Sequence, residues 1–398
     1  MVNALARTNE VTVLCGRPSY DPMERRPWKL WRTERISGTT PQSTGEGAAQ
    51  ITGGYNAFIV IRVGSTDYPR IQMNRRILNY LTYVKLAFWR VFFIPCDAIF
   101  AMTDPPFNGI VGALLSVLKR KLLIYDIQDM YPDMAVAGSI VNPGLLTRFW
   151  ERLHRWALRR ATRIIVLGDD MRARIIAKGI DPGKIFIVRS GVDALPPNAP
   201  VPPANIEITR AIRGNFHFVL LHAGNLGFYG AWDTIIAAAR KLENENIGFV
   251  FVGDGAERSR LENLAAGSTN VRFLPFFPSS DIPSVLAAPD AHIVTIKRGL
   301  EGVVVPSKMF GIIAAGKPIV AIAAPETDVA ALGMRHGFAI RADPTNPDEL
   351  ASVIRRIASN PTALATMCDA ARQAAAQYSR ANELRHLADI VEGLAPRP

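Results

Sequence analysis

Short apolar runs alternate with amphipathic helical patterns along most of this chain. In the second half, the stretches between the runs place apolar residues three and four positions apart, as on one face of a helix. Strands that are apolar throughout and are separated by helices are typical of a parallel sheet with both faces covered. The pattern therefore predicts an α/β domain, with strands at Phe218–Ala223, Gly248–Val252, Val271–Leu274, His292–Ile296 and Ile319–Ala323.

The first half carries the same alternation less regularly. Its predicted strands are Glu10–Cys15, Ala57–Val63, Asp97–Met102, Lys121–Asp126, Arg163–Leu167 and Lys184–Val188. A chain of 398 residues exceeds what one hydrophobic core usually organises, so two domains are expected. We assign residues 1–190 to the first domain, 191–204 to a proline-rich linker, 205–365 to the second domain and 366–398 to a C-terminal helix.

Other segments are predicted from composition and pattern. Ser37–Gly54 is rich in Gly, Ser and Thr and is expected to be an exposed loop. Asp348–Leu394 has a helical pattern throughout. The three cysteines are far apart in sequence, so we expect no disulfide framework and a reducing compartment. We find neither a signal peptide nor a window apolar enough to span a membrane, and a cytoplasmic location is expected.

The positive charge is concentrated in the first half. Residues 1–190 hold 27 Lys and Arg against 15 Asp and Glu, whereas residues 191–398 hold 19 against 20. Two predicted helices there, Leu146–Arg163 and the stretch from Arg75 to Phe93, combine basic and aromatic residues. Their apolar sides could simply pack on the first sheet. The charge excess favours the further prediction that they attach the protein to an anionic membrane surface, at the inner face of the membrane. No nucleic-acid recognition motif is present, so no nucleic acid is expected as a partner.

Two glycine-containing turns follow predicted strands in the second half. Gly224-Asn225-Leu226-Gly227 and Gly253-Asp254-Gly255 each lie between a strand and a helical pattern. Glycines at such a turn let the backbone approach a ligand closely and point N–H groups at an anion. The alternative is a plain turn, in which Asp254 is the N-cap of a helix that starts at Ala256.

The segment Glu301–Gly316 is the strongest candidate for phosphate binding. Pro306 suits the first position of a helix, and Ser307 and Lys308 would then lie in its first turn. A cation at a helix N-terminus is unfavourable unless an anion is bound there. The alternative is a solvated lysine, but the position favours a diphosphate bound by Lys308 and the helix N-terminus.

These segments together resemble a known family. HAGNLG, FVGDG, FLPF and KRGLEGVVVPSKMFGIIAAGKPIV are similar to retaining glycosyltransferases of the GT-B fold, family 4, and in particular to the bacterial branch that builds surface polysaccharides with amino-sugar donors. IYDIQDMYPDMAVAGSI and VRSGVD in the first half resemble the same branch. The resemblance implies an α/β fold of two Rossmann-like domains facing across a cleft, with a C-terminal helix crossing back to the first domain.

The resemblance also implies an activity. A sugar, with an N-acetylated amino sugar among the candidates, would pass from a nucleotide diphosphate donor such as a UDP-sugar to a lipid-linked or polysaccharide acceptor. The anomeric configuration would be retained. No metal and no cofactor is expected, because basic residues and backbone amides would do the work that a divalent cation does elsewhere.

The resemblance assigns the binding residues by position. The second domain would bind the diphosphate, the base and the donor sugar. The diphosphate residues would be Gly224, Asn225, Gly227, Gly253, Arg298, Ser307 and Lys308; the residues flanking the base would be Pro275 and Phe276; and those meeting the sugar would be Glu301, Gly302 and Val303.

Three positions depart from the family pattern. Phe228 and Gly230 stand where many members have a basic pair, so Lys308 or Arg298 must carry more of the phosphate charge. Gly311 stands where many members have a ribose-binding glutamate. The chain also begins in the helix that usually follows the first strand, which suggests a truncated first sheet. These departures keep open the alternative of an inactive GT-B partner protein. A second alternative is a sugar-nucleotide epimerase of the same fold, which would need carboxylates and a histidine close to the sugar in both domains, whereas the sequence offers only Asp129 and Glu301.

Catalysis of sugar transfer requires stabilisation of charge on the leaving diphosphate. Lys308 is the predicted stabiliser, and Glu301 is expected beside the sugar. Asp129 follows the strand Lys121–Asp126, at the end where α/β sites form, and is the candidate on the acceptor side. Its alternative role is a loop carboxylate that caps the next turn. His154 and His222 are assigned no catalytic role.

Overall fold

The computed structural model describes residues 1–16, 31–36, 58–66, 73–138, 141–192 and 205–394. The predicted loop Ser37–Gly54 and residues 193–204 of the predicted linker lie outside the described residues.

All eleven predicted strands are present, with ends within two residues of the prediction. Two further strands, Trp31–Ile36 and Ala339–Ala342, were not predicted. The strands are β1 (Thr12–Cys15), β2 (Trp31–Ile36), β3 (Phe58–Val63), β4 (Ala98–Met102), β5 (Leu122–Ile127), β6 (Arg163–Val166), β7 (Ile185–Ile187), β8 (Phe218–Ala223), β9 (Ile247–Val252), β10 (Val271–Leu274), β11 (Ala291–Thr295), β12 (Ile319–Ile322) and β13 (Ala339–Ala342).

Helices separate most of the strands. The predicted helical stretch Asp348–Leu394 consists of three helices, α13 to α15. The helices are α1 (Val2–Leu5), α2 (Met73–Phe93), α3 (Asn108–Lys119), α4 (Asp133–Ala137), α5 (Leu145–Arg160), α6 (Asp169–Ala177), α7 (Ile206–Arg213), α8 (Trp232–Lys241), α9 (Arg258–Leu264), α10 (Ile282–Ala287), α11 (Lys308–Ala314), α12 (Asp328–His336), α13 (Pro347–Ala358), α14 (Pro361–Gln377) and α15 (Arg380–Glu392). No described helix is both long enough and apolar enough to span a membrane.

The largest sheet has the strand order β10-β9-β8-β11-β12-β13, and all its pairings are parallel. Every residue of β9, β11 and β12 is buried, which explains why β9 and β12 are apolar throughout instead of alternating. Helix α8 buries Trp232, Ile235 and Ile236 against this sheet in one hydrophobic core. Because the strands are parallel, the turns that follow β8 and β9 lie at the same edge of the sheet.

Two smaller sheets contain the other strands. One has the order β1-β3-β2, with β1 parallel and β2 antiparallel to β3, and the other has the order β4-β5-β6-β7. The chain forms two compact units, one of Met1–Asp126, Leu153–Ile165 and Leu384–Pro398, the other of Ile127–Arg152 and Val166–Glu383. The domain boundaries assigned from the sequence stay predictions.

Helix α3 packs closely on the strands of its sheet because it has glycines on the contacting side. A Cβ added to Gly109 would lie 2.0 Å from the ring of Tyr125, and one added to Gly112 would lie 2.8 Å from Cβ of Ala101. Tyr125 is fully buried. The absence of side chains at these two positions thus sets the distance between the helix and the sheet.

Replacing Gly109 by Ala should therefore destabilise the protein. Overpacking of a closed core typically costs about 1–3 kcal/mol, and we expect a loss in this range for Gly109→Ala in urea denaturation followed by circular dichroism. Gly144→Ala is the matched control, since the nearest heavy atom to its added Cβ is 4.0 Å away. Equal stability of the two variants would contradict this account of the helix packing.

Candidate functional site

The turns after β8 and β9 contact each other through their backbones. Gly224 has φ +128° and donates its N–H to the carbonyl of Val252 at 2.8 Å. Gly253 has φ +137°, and a Cβ added there would lie 2.0 Å from the Gly224 carbonyl oxygen. Both positions therefore require glycine, for the backbone conformation and for the space.

Hydrogen bonds and a buried side chain hold the remainder of the first turn in place. Leu226 is fully buried, and its N–H donates to the carbonyl of Asp254 at 2.9 Å. The indole N–H of Trp232 donates to the carbonyl of Gly227 at 2.6 Å, and Tyr229 donates its hydroxyl to the carbonyl of Asn225. The turn is thus a rigid platform and not a mobile loop edge.

The Lys308 side chain points at this platform. Its Nζ lies 3.3 Å from the position that a Cβ on Gly224 would take, and 3.1 Å from Nε2 of His222. Burial lowers the pKa of Lys308 to about 8. No ion pair joins Lys308 to a carboxylate of the described residues. A basic group that faces a glycine turn without a protein counter-charge is suited to bind an anionic ligand.

The start of helix α11 differs from the prediction. Ser307 is the N-cap residue and Lys308 the first helical residue, so Pro306 precedes the helix instead of occupying its first position. The N-cap predicted at Asp254 is also wrong, because α9 begins only at Arg258 after Glu257. The Asp254 side chain instead accepts the N–H of Gly255 at 2.8 Å.

Three further predicted binding residues are exposed. Arg298 is 60% exposed and forms an ion pair with Asp343 at 2.6 Å, so its charge is already compensated. Pro275 and Phe276 follow β10 and are exposed. The Phe276 ring lies 3.3 Å from the position of a Cβ on Gly253, which puts an exposed aromatic face beside the second glycine turn.

The segment Glu301–Val304 is held by residues from the first half of the sequence. Met130 donates its N–H to the carbonyl of Val303 at 3.2 Å, and Asp129 forms an isolated antiparallel bridge with Val304. The structure thus brings the backbone of Asp129 beside the segment that contains Glu301, Gly302 and Val303. The carboxylate of Glu301 accepts the N–H of Gly299 at 2.9 Å.

A charged cluster that the sequence reasoning missed anchors the same segment. Arg174 donates to the carbonyl of Glu301 at 3.0 Å and pairs with Asp133 at 2.7 Å. Lys178 lies between Asp133, at 2.8 Å, and Glu151, at 2.9 Å. Burial raises the pKa of Asp133, but the charges and hydrogen bonds of Lys178 and Arg174 outweigh it and hold the pKa below its usual value.

A second missed cluster contains two neighbouring carboxylates. Asp170 accepts the N–H groups of Gly302 at 3.3 Å and of Asp328 at 3.2 Å. Arg189 pairs with Asp328 at 3.3 Å and with Asp169 at 2.8 Å. Burial, and then the charge of Asp328, raise the pKa of Asp170 to about 6. The sequence signal was present, since Asp169 and Asp170 follow a predicted strand just as Asp129 does.

Comparisons with known families match almost all of the chain. The family "Glycosyl transferase 4-like domain" matches residues 1–191, and "Glycosyl transferases group 1" matches residues 212–377. The chain belongs to the family 4 glycosyltransferases. The resemblance to family 4 glycosyltransferases inferred from HAGNLG and PSKMFGIIAAG is thereby confirmed.

Relatives and solved structures agree with this assignment. The glycosyltransferase is 27% identical over 308 residues to the probable glycosyltransferase WbjE of Pseudomonas aeruginosa, which covers 73% of this chain and 74% of the relative. It is 30% identical over 254 residues to the putative colanic acid biosynthesis glycosyl transferase WcaI of Escherichia coli, covering 61% of each chain. Anabaena HepE, crystallised with UDP, has a TM-score of 0.64 at 19% identity, covering 84% of this chain and 86% of HepE. The predicted GT-B fold is confirmed.

The raised pKa of Asp170 makes the stability of the glycosyltransferase depend on pH. The folded state binds the Asp170 proton more tightly than the unfolded state does. The protonated carboxyl therefore contributes to the free energy of unfolding below about pH 4, and this contribution is lost as pH rises through 6. A shift of this size corresponds to at most about 3 kcal/mol. The unfolding free energy of Asp170→Asn minus that of the wild type should therefore be larger at pH 7.5 than at pH 4.5, as measured by urea denaturation at both pH values.

The exposed neighbour Asp169 supplies the matched control. In Asp169→Asn, the difference in unfolding free energy between pH 4.5 and 7.5 should equal that of the wild type. If the Asp170→Asn and wild-type stabilities changed in parallel with pH, the proposed effect of burial on Asp170 would be wrong.

Proposed function

We propose that this glycosyltransferase moves a sugar from a UDP-sugar to a lipid-linked or polysaccharide acceptor during the synthesis of a bacterial surface glycan. The observation that carries the proposal is the Lys308 ammonium, whose Nζ lies 3.3 Å from the position that a Cβ on Gly224 would take and has no carboxylate partner among the described residues. The structures of HepE with UDP and with UDP-glucose support a uridine donor. The names of WbjE and WcaI support a role in polysaccharide synthesis.

In the proposed reaction, the diphosphate leaves with a growing negative charge. The Lys308 ammonium and the amides of the glycine turn stabilise this charge from fixed positions, where they need no reorganisation. The Phe276 ring flanks the base, and Glu301, Gly302 and Val303 face the donor sugar, which is a hexose or an N-acetylhexosamine. Retention of the anomeric configuration and independence from metal ions are parts of the proposal.

Asp129 lies on the acceptor side in this proposal. Its bridge to Val304 keeps its backbone beside the sugar-facing segment. A carboxylate at this place would orient the acceptor hydroxyl and accept its proton. Because the configuration is retained in this proposal, the acceptor oxygen would attack the face of the anomeric carbon from which the diphosphate leaves.

Substitution of Lys308 tests donor binding directly. Lys308→Met keeps the length of the side chain and removes its charge, so we expect UDP affinity in calorimetry to fall by at least about tenfold, as for the loss of one charged hydrogen bond. Arg298→Gln is the matched control and should change the affinity by less than about threefold, because Arg298 is paired with Asp343. Absence of UDP binding to the wild type would favour the inactive partner protein over the enzyme.

We further propose that the protein attaches to an anionic membrane at two helices. Helix α5 buries Ala157 and Leu158 on one side but exposes a second apolar row, in which Leu145 is 84% and Phe149 56% exposed. Trp156 continues this row by helical spacing. Exposed arginines flank it, at Arg148, Arg152, Arg155 and Arg159. An apolar row bordered by cations matches the chemistry of an anionic lipid surface.

Helix α2 ends in an exposed aromatic cluster. Phe93 is 72% exposed and lies 5.3 Å from Phe92 and 6.5 Å from Trp89, measured between ring centroids. Lys119 donates to the carbonyls of Val91 at 2.9 Å and Phe92 at 3.0 Å, which fixes the end of the helix. Exposed Leu114, Val117 and Leu118 of α3 add to the apolar surface of the same unit. Aromatic rings held in this way suit the interface between lipid headgroups and acyl chains.

Vesicle sedimentation tests this attachment. Two double variants, Trp89→Ser/Phe93→Ser and Phe149→Ser/Trp156→Ser, should each bind vesicles rich in phosphatidylglycerol at least about tenfold more weakly, because each loses the burial of two aromatic side chains. Ile206→Ser/Met334→Ser removes two exposed apolar residues from the half without excess charge and should bind like the wild type. Binding of the wild type should weaken in high salt. Equal binding by all three variants would exclude both helices, and vesicle-independent dimerisation would assign the apolar surfaces to a second copy of the chain.

A further inference from the structure

We propose that His222 is the positioning residue for Lys308. Its neutral imidazole holds the Lys308 ammonium beside Gly224 but supplies no counter-charge. The ammonium therefore pairs with the diphosphate of the donor, and binding of the diphosphate is coupled to the uptake of a proton by Lys308. This inference rests on the proposed function, since it takes the ligand at Lys308 to be a nucleoside diphosphate.

The geometry fixes the protonation of the imidazole. His222 is fully buried, and its ring meets that of Trp232 edge to face with centroids 4.8 Å apart. Its Nε2 lies 3.1 Å from Nζ of Lys308. A charged ammonium can only donate hydrogen bonds, so Nε2 must be the acceptor and the ring proton must be on Nδ1. The imidazole is therefore the neutral tautomer, consistent with a pKa held well below its usual value by burial and then by the charge of Lys308.

The groups that face Lys308 supply no negative charge. On the turn after β8, the Tyr229 ring lies 6.0 Å from Nζ, and burial raises the pKa of its hydroxyl to about 12. On β11, His292 is fully buried with a pKa lowered by burial to about 4, and its Nε2 bonds to the carbonyl of Leu286 at 2.9 Å. Lys317, which follows α11, is a further cation, and its charge helps to lower the pKa of His292. Near neutral pH, the described surroundings of the ammonium are thus neutral or positive.

Proton uptake on donor binding follows from this arrangement. With a pKa of about 8, lowered by burial, Lys308 in the free protein is about half deprotonated at pH 8. A bound diphosphate favours the charged form and raises the pKa of Lys308 again. By linkage, UDP binding should take up about half a proton at pH 8, and UDP affinity should fall by up to about tenfold for each pH unit above 8. A lysine paired with a carboxylate would show neither effect in this range.

Two substitutions of His222 separate positioning from packing. His222→Phe keeps a ring against Trp232 but removes the acceptor, so we expect UDP affinity to fall by at least about tenfold at pH 8. Its proton uptake should shift to lower pH, because the ammonium loses its only described hydrogen-bond partner. His222→Gln restores an acceptor near the position of Nε2 and should recover affinity to within about threefold. The matched control is His292→Phe, a buried histidine of the neighbouring strand, which should leave proton uptake unchanged.

Calorimetry with UDP, in buffers of different ionisation enthalpy at pH 7, 8 and 9, measures both quantities. In the Lys308→Met background, His222→Phe should change UDP affinity by less than about twofold, because His222 acts only through Lys308. Wild-type affinity and wild-type proton uptake in His222→Phe would overturn the proposal. An equal loss of UDP affinity from His222→Phe in the wild type and in the Lys308→Met background would also overturn the proposal, because it would indicate that His222 acts through packing alone.

A measurement without ligand separates this inference from the proposed function. Carbon-13 NMR of lysine-labelled wild-type protein identifies Lys308 as the signal that is absent from Lys308→Met. We expect that signal to titrate near pH 8 in the wild type and at lower pH in His222→Phe. Titration above pH 10 in the wild type would overturn the inference whether or not His222→Phe folds. A wild type that titrates as expected but binds no UDP would instead contradict the proposed function.

Discussion

The candidate site depends on an ammonium group that is held by a neutral acceptor instead of a carboxylate. Removing a cation from water costs several kcal/mol unless hydrogen bonds or opposite charges compensate it. At Lys308 the compensation is partial, from the imidazole of His222 and the more distant face of Tyr229. The uncompensated part is what makes an anionic ligand favourable there. The same strand, β8, supplies both the acceptor and the Gly224 turn, so the cation and its platform are fixed together.

The parallel strands explain why the proposed donor-binding residues lie at one edge of the largest sheet. The turns after β8, β9 and β10 all leave the sheet at their carboxyl ends, with Gly224, Gly253 and Phe276 in successive turns. Close approach of the first two turns leaves no room for side chains at either glycine. The buried Trp232 and Leu226 hold this edge rigid, so the ligand groups are positioned before a ligand arrives.

The segment Glu301–Val304, which is proposed to face the sugar, is positioned by contacts with residues distant in sequence. It lies in no helix, and its backbone is bonded by Met130, Arg174 and Asp170, which are distant in sequence. Two of these contacts belong to charged clusters, and in one of them two carboxylates, Asp170 and Asp328, are neighbours. Arg189 offsets part of their repulsion. The position of this segment is therefore coupled to the charge state of residues that touch no substrate in the proposed reaction.

The sequence by itself determined the fold class, eleven of the thirteen strands among the described residues, the glycine turns and the choice of Lys308 as the candidate phosphate-binding cation. These features are local: apolar periodicity, glycine at strand ends and a lysine at the start of an apolar helix can all be read within a few residues. The tertiary structure decided that Arg298 is paired with Asp343, that helix α11 starts after Pro306, and that His222 faces Lys308. It also decided that Asp170 and Arg174 hold the Glu301 segment. Those facts concern which side chains meet across long sequence separations, and packing sets them, whereas residue type and spacing along one strand or helix leave them open.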